Sequence, residues 1–373
     1  MKRLCCLMLA FALSLTLLAG CGDDSSSALP QSSSTPQSVS QPEPTEEPVS
    51  DSSFDGQPLT GEAKGADYVA SRPVAIMINN RSDSRPTRGL SDADVLYEIM
   101  VEGGITRFMA LFPDTNFGEV GPVRSARDQF FRLIRPFQPL YLFVGRSGIT
   151  QQYFDDTEYG DLAVNGMNVG FAYRDSARES NPAYPKDATA YTNGDKVESL
   201  IENKGIDMSR ELTSPIFDFV DYNESPRELN GESATDVKIV HSSSYRTGFT
   251  YDAASGKYLA SLYTNSAGYT PMVDEANGQR MAFENVIVLF TEITQYPYDG
   301  TGINPDYKKV EYDFGGLGYY ISNGKAEKIL WQKGPTEYPL LLTDEAGESL
   351  KVNCGKSYIA VVSLNEYDNF SIA

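Results

Sequence analysis

Short, wholly apolar runs bounded by proline or glycine constrain the fold of this chain most. Three of them come early, at residues 74–78, 108–112 and 140–144. A strand with one wet face alternates apolar and polar residues, whereas a run of five apolar residues fits a strand covered on both faces. These runs therefore predict buried strands inside a layered domain.

Helical spacing of apolar residues occurs beside these runs. Residues 125–135 carry apolar side chains on one face and meet Pro136, which ends a helix. A second helix is predicted over residues 192–203, where Val197, Leu200 and Ile201 share a face. Strands separated by helices predict an α/β domain over residues 66–205.

The pattern changes after Met208, where strand-like segments follow one another closely. Turn signals such as Asn277-Gly278 and Asn323-Gly324 separate them. The predicted strands are 237–240, 249–251, 257–262, 285–290, 310–314, 319–321, 340–342 and 358–362. They predict a mainly antiparallel β domain over residues 210–365, so the fold class is α/β followed by mainly antiparallel β.

The N-terminus has the features of a lipoprotein signal peptide. Met1-Lys-Arg3 is basic, an apolar stretch runs to Leu18, and Ala19-Gly20 precedes Cys21. This pattern predicts that residues 1–20 are removed and that Cys21 is acylated as the new N-terminus. We expect a protein anchored by lipid in the cell membrane, on its extracytoplasmic face.

Composition predicts what lies between the anchor and the folded body, and which partners are excluded. Residues 21–65 are rich in Ser, Pro, Gln and Glu, and we expect a disordered tether. The formal charge of −20 becomes −22 once Lys2 and Arg3 are removed. Such an acidic body argues against nucleic acid as a partner. The membrane, cell-wall polymers and cell-wall synthesis proteins are the partners that we expect.

Arginine replaces lysine throughout one stretch of the predicted α/β domain. From Arg72 to Arg178 there are twelve arginines and no lysine. Arginine suits planar, two-pronged recognition of carboxylate or phosphate, which favours a pocket for an anionic group. The same stretch holds thirteen acidic residues, so internal pairing is an equal alternative.

Two of the motifs in this stretch indicate where an anion would bind. In Gly121-Pro-Val-Arg-Ser-Ala-Arg127, a serine at a predicted helix start would aim backbone N–H groups and two guanidinium groups at one place. Glu102-Gly-Gly-Ile-Thr-Arg107 leads into a predicted strand, and ligands gather at strand ends. The candidate ligand-binding residues are Glu102, Arg107, Arg124, Ser125, Arg127, Arg174 and Arg178.

Catalysis is the alternative to binding. Glu98 or Glu102 could serve an exported hydrolase that acts on cell-wall glycan through a pair of carboxyl groups. His241 is the only histidine, which excludes a multi-histidine zinc site, and we assign no metal, cofactor or catalytic residue. A binding or regulatory protein is the favoured interpretation.

Three ordered motifs resemble the YerB family of bacterial lipoproteins: Glu102-Gly-Gly-Ile-Thr-Arg107, Gly121-Pro-Val-Arg-Ser-Ala-Arg127 and Tyr173-Arg-Asp-Ser-Ala-Arg178. Trp331-Gln-Lys333 and Asn353-Cys-Gly-Lys-Ser-Tyr-Ile359 fit the C-terminal domain of that family. The resemblance covers about residues 68–365 and implies two domains of unknown function. Members of the family often carry a histidine where this chain has Ala188, which favours binding over catalysis.

Overall fold

A mixed sheet forms the centre of the computed structural model, which describes residues 54–66, 68–212, 214–297 and 306–373. Within those residues the central sheet has eleven strands, in the order β20-β19-β18-β15-β22-β2-β3-β1-β4-β5, with β9 paired to β19. A second sheet has the order β13-β12-β11-β10-β23, with β14 paired to β12. The strands are, in chain order, β1 Val74–Asn79, β2 Val95–Met100, β3 Thr106–Phe112, β4 Leu140–Phe143, β5 Ala163–Asn165, β6 Tyr173–Arg174, β7 Ala190–Tyr191, β8 Asp218–Phe219, β9 Glu232–Ser233, β10 Asp236–Val240, β11 Arg246–Asp252, β12 Lys257–Thr264, β13 Gly268–Pro271, β14 Ala282–Phe283, β15 Asn285–Thr291, β16 Ile293–Gln295, β17 Lys308–Val310, β18 Gly316–Ser322, β19 Lys325–Gln332, β20 Leu341–Thr343, β21 Lys351–Val352, β22 Ser357–Ser363 and β23 Ser371–Ile372.

The helices are short and pack around the sheets. They are α1 Asp128–Ile134, α2 Gly148–Asp156, α3 Gly166–Val169, α4 Ser176–Glu179 and α5 Gly194–Lys204. Single 3-10 segments lie at Ser82–Ser84, Leu90–Asp92, Glu102–Gly104, Arg135–Phe137, Lys186–Ala188 and Leu364–Asn369.

Both faces of the central sheet are covered, which gives three layers. Every residue of β1, β3, β4, β15 and β22 is buried. In β1, Ile76 and Ile78 pack towards the second sheet, whereas Ala75 and Met77 pack towards α1 and α2. Buried strands with apolar runs therefore occur where the sequence predicts them, because neither face contacts water.

Six strands of the central sheet run in one direction. β1, β4 and β5 are mutually parallel, as are β2, β22 and β15, and both β1 and β2 are antiparallel to β3. Their carboxyl ends therefore lie along one edge of the sheet, which we call the carboxyl edge. Ligands of open α/β sheets bind at such edges.

The predicted fold class is confirmed: an α/β region is followed by a region of mainly antiparallel strands. Strands of both regions share one sheet, because β2 pairs with β22, and all described residues fall in one compact unit. The proposed boundary between residues 205 and 210 stays a prediction. Among the described residues, no helix is long and apolar enough to cross a membrane.

Two local predictions differ from the structure, and a third lies outside the described residues. The strand predicted over 310–314 ends at Val310, because the chain turns there and leaves Phe314 88% exposed. Residues 54–65 were predicted to be tether, but Leu59 is buried in the core and Pro58 accepts a backbone hydrogen bond from Ile216. The predicted signal peptide, Cys21 and the tether up to residue 53 lie outside the described residues.

Candidate functional site

Glu102 is held by two arginines at the carboxyl edge. It follows β2, and its Oε1 accepts hydrogen bonds from Arg107 Nη2 at 2.5 Å and Arg127 Nη2 at 2.6 Å. Its Oε2 accepts from Arg127 Nε at 2.9 Å, so the Arg127 contact is two-pronged. Arg107 also donates to the backbone oxygen of Ser125 at 2.8 Å. We call Glu102, Arg107 and Arg127 the Glu102 cluster.

The electrostatics of the Glu102 cluster favour a fixed ion pair. Burial would raise the pKa of Glu102, but the charges of Arg107 and Arg127 outweigh it and lower this pKa to about 2. Burial, and then the neighbouring Arg127 charge, lower the pKa of Arg107. A general acid needs a proton near neutral pH, so this carboxylate is poorly suited to that role.

Arg124 lies beside this cluster and is partly open to solvent. Its side chain is 27% exposed, and its Nη2 donates to Asp187 Oδ2 at 2.7 Å. The same oxygen accepts from Arg81 at 3.3 Å, while Asp187 Oδ1 is buried without a hydrogen-bond partner among the described residues. Asp187 belongs to the turn Lys186–Ala188, and Ala188, the position of the family histidine, is fully buried.

Ser125 does not begin a helix, contrary to the prediction. Helix α1 starts at Asp128, and residues 123–126 are extended. The Arg124 N–H donates to Met77 O at 2.8 Å, and the Ala126 N–H donates to Gly145 O at 2.9 Å. The N–H groups of Arg124 and Ala126 are therefore used in sheet-like pairing and are not free for an anion.

A further arginine, which the sequence analysis did not select, lies on the neighbouring segment. Arg146 forms a parallel bridge with Ala126, and its side chain is exposed. It makes no side-chain hydrogen bond or ion pair with the described residues. Gly145 has a φ of 86°, and a Cβ there would meet Ser125 Oγ at 2.8 Å, so glycine allows the close approach. No pattern in the neighbouring sequence points to Arg146. Only the pairing of its backbone with residues 124–126 places it at the site.

Arg174 and Arg178 do not join the Glu102 cluster. Arg174 binds the Lys186 carbonyl and donates to Thr189 Oγ1 at 3.0 Å, which fixes the turn that carries Asp187. Arg178 is buried and donates to the carbonyls of Ser84 at 2.9 Å and Pro86 at 2.7 Å.

Arg178 also forms an ion pair with Glu275 at 2.5 Å, and Arg88 contacts Glu275, Glu119 and Asp175. Of the seven candidates, the structure therefore brings five together: Glu102, Arg107, Arg124, Ser125 and Arg127. Arg178 is paired within the protein, as the alternative to an anion pocket predicts.

Glu98 lies in a separate, wholly buried network. It is 1% exposed, and its Oε1 accepts from Thr106 Oγ1 at 2.7 Å and Asn80 Nδ2 at 3.2 Å. Its Oε2 lies 3.0 Å from His241 Nε2 and accepts from Thr247 Oγ1 at 2.6 Å.

Tyr358 also donates to Glu98 Oε2. Burial would raise the pKa of Glu98, but the His241 ring and these hydrogen bonds outweigh it and lower this pKa to about 2. Glu98 and His241 form a structural pair with no access for a glycan.

Metal binding finds no support in the part of the chain that the structure describes, where no three His, Cys, Asp or Glu side chains are grouped to hold an ion. Cys354 is a free thiol whose Sγ contacts the carbonyls of Gly61 and Val220, and burial raises its pKa to about 11. A thiol with a raised pKa is a weak nucleophile.

Comparison with known proteins identifies relatives for both halves of the chain. Residues 59–207 match the N-terminal domain, and residues 236–359 the C-terminal domain, of a family described as proteins of unknown function (DUF3048). A Bacillus subtilis (strain 168) protein named "Putative lipoprotein YerB" is 27% identical over 281 residues, which are 74% of this chain and 77% of that protein.

A solved structure agrees with this assignment. The crystal structure of the YerB protein from Bacillus subtilis superposes with a TM-score of 0.69 at 26% identity and covers 85% of this chain and 99% of that one. Family match, relative and fold coincide over both regions, and the resemblance to the YerB family is confirmed. The chain therefore belongs to the YerB (DUF3048) family.

Proposed function

We propose that this chain is a lipid-anchored binding or regulatory protein of the cell surface, and that the carboxyl edge recognises an anionic group. The lipoprotein pattern at Cys21 and the name of the Bacillus subtilis relative support the anchor. An anchored, exported protein meets cell-wall polymers and the proteins that make them, which are the partners that we propose.

One observation carries the proposal: arginines outnumber carboxylates at the carboxyl edge of an otherwise acidic chain. Three carboxylates, those of Asp83, Glu102 and Asp187, form ion pairs with four arginines there. The fifth arginine, Arg146, is exposed and forms no ion pair with the residues that the structure describes. The chain as a whole has a formal charge of −20, so a local excess of guanidinium groups attracts anions where the rest of the surface repels them.

Within the site the arginines have different roles. Arg107 and Arg127 are each bound by Glu102 and by a backbone carbonyl, so they form a rigid base. Arg124 is partly exposed, and Arg146 has no side-chain partner in the described part of the chain, so both retain donors for a ligand. A carboxylate or phosphate oxygen would bind to these two, in competition with Asp187 for Arg124.

Titration of the purified full chain with polyphosphate and with poly-glutamate tests this role. We expect Arg124→Lys and Arg146→Lys each to weaken binding by about 1–3 kcal/mol, because lysine keeps the charge but loses the planar, two-pronged contact. Arg246→Lys, on the second sheet, is the matched control and should bind like the wild type. Equal affinities for all four proteins would contradict the proposal.

The hydrolase alternative has its own measurement. The surroundings of its two candidate carboxylates do not favour it, because Glu98 is enclosed and Glu102 is bound by two arginines. Hydrolysis of cell wall by the purified chain is the activity to measure. If Glu102→Gln abolished it while Arg124→Lys kept almost all of it, the hydrolase would replace the binding protein as the favoured function.

A further inference from the structure

An uncovered apolar strip lies far from the carboxyl-edge arginines in sequence, on the β18–β20 end of the central sheet. Five of the nine large apolar side chains exposed in the described residues fall between residues 314 and 341. Leu317, Leu330 and Leu341 are 39%, 44% and 51% exposed. Isolated exposed leucines need no explanation, but a group of them on one face marks an interaction site.

Strand register places these three leucines on one face. Leu317 of β18 pairs directly with Leu330 of β19. Leu330 pairs with Thr343 of β20, and Leu341 lies two residues from Thr343, so its side chain points to the same side. We call Leu317, Leu330 and Leu341 the leucine strip.

The second sheet covers the same face nearer the middle of the molecule. Val286 and Val288 of β15 pack there against Val237 and Phe249. The leucine strip is the part of this face that those strands leave open.

A groove continues the leucine strip along the same face. Its floor includes Tyr319 and Lys328, which pair across β18 and β19 two residues from Leu317 and Leu330. Its volume is about 430 Å³, and acidic side chains line it, including Glu232 and Glu345. Neither Glu232 nor Glu345 forms an ion pair or hydrogen bond through its side chain with the described residues.

We propose that the leucine strip and the acidic groove form a docking surface for a segment of a partner protein that carries both apolar and basic side chains. Leucine-sized side chains would cover the strip, while lysine or arginine would lie against Glu232 and Glu345. Apolar burial supplies the affinity, and the charges select the partner.

Charge complementarity decides between this occupant and two others. A second copy of the chain would place acidic groove against acidic groove in a protein of charge −20, which repels. An anionic lipid surface is repelled for the same reason. A basic, apolar protein segment is the occupant that satisfies both the leucines and the acids.

The test uses the purified full chain and a fluorescent short peptide of alternating leucine and lysine, followed by fluorescence anisotropy. We expect binding that Leu330→Ser weakens about tenfold or more, because a buried leucine contact is lost. Val69→Ser, which changes an exposed apolar side chain that precedes β1, should bind like the wild type. Both positions are exposed, so the variants should fold, and thermal unfolding verifies this.

Charge reversal separates specific docking from attraction to an acidic protein in general. Glu345→Lys should weaken binding of the peptide. Glu202 is an exposed residue on α5, and Glu202→Lys makes the same change in net charge but should leave binding unchanged. Peptides with glutamate for lysine or serine for leucine should not bind. Equal effects of Glu345→Lys and Glu202→Lys, or of Leu330→Ser and Val69→Ser, would overturn the proposal.

Two further measurements test the other occupants, a second copy of the chain and an anionic lipid surface. Sedimentation that shows wild-type dimers converted to monomers by Leu330→Ser would make the strip a self-interface and overturn the proposal. Binding to vesicles of anionic lipid that Leu330→Ser abolishes would overturn it in favour of a membrane surface. All of these results are independent of the anion-binding proposal, because no variant changes the Glu102 cluster, Arg124 or Arg146.

Discussion

Asp94 and Glu98 lie close in sequence, yet their surroundings shift their pKa values in opposite directions. Glu98 accepts hydrogen bonds from several side chains and contacts His241, and its pKa falls to about 2. Asp94 is buried with an Oδ2 that has no hydrogen-bond partner among the described residues, and burial raises its pKa to about 7. Glu98 therefore stabilises the fold as an anion, whereas ionised Asp94 destabilises it.

Replacing Asp94 by Asn is expected to stabilise the protein at pH 8 by about 1–3 kcal/mol, the cost of an unsatisfied buried group. The folded protein keeps this proton up to about pH 7, whereas the unfolded chain loses it near pH 4. The wild type therefore loses stability as the pH rises from 4 to 7 because of this group. Urea unfolding at pH 4 and pH 8 should give a larger gain for Asp94→Asn at pH 8, and an equal gain at both would contradict the assignment.

At the scale of elements, the strands that the sequence predicts best are those without polar interruptions. β1, β3, β4, β15 and β22 each contain an uninterrupted run of at least four apolar residues and were predicted. β2 was missed because Glu98 interrupts its apolar run, and the partner that makes a buried glutamate acceptable, His241, is distant in sequence. Residues 125–127 were wrongly predicted to be helical for a related reason, since the backbone of Arg124 and Ala126 pairs with Met77 and Gly145.

The candidate site was predictable only in part, and the reason is again non-local. Arginine motifs marked Glu102, Arg107 and Arg127, which meet because strand ends converge at the carboxyl edge. Nothing in the local sequence separates Arg124, which keeps an exposed face, from Arg178, which binds Glu275 of the second half.

The segment 54–62 is expected to act as part of the core. Leu59 is 2% exposed and belongs to the apolar cluster that also contains the buried side chains of α1. Leu59→Ala should therefore reduce the free energy of unfolding by about 2–5 kcal/mol. A chain that begins at residue 54 should unfold like the full chain, whereas one that begins at residue 66 should be less stable. Urea denaturation compares the stabilities of the two shortened chains. Equal midpoints would show that residues 54–65 belong to the tether and not to the core.

At the scale of the whole molecule, the central sheet joins the two regions through its middle. β2 pairs along five residues with β22, and Glu98 of β2 meets His241, Thr247 and Tyr358 of the later region. Separating the regions would expose two strands that are buried on both faces and would leave Glu98 without most of its partners. Such edges aggregate unless they are paired.

We therefore expect residues 54–212 and residues 214–373 each to lack a stable fold when produced alone, despite matching two separate domain descriptions. Mixed in equal amounts from denaturant, the two pieces should regain a cooperative unfolding transition, because the β2–β22 pairing restores both cores. Glu98→Ala in the first piece should weaken this recovery, since it leaves His241 buried without its partner. Far-ultraviolet circular dichroism and urea unfolding measure each state. Independent, cooperative folding of either piece would show that the shared sheet is dispensable and that the two regions are autonomous domains.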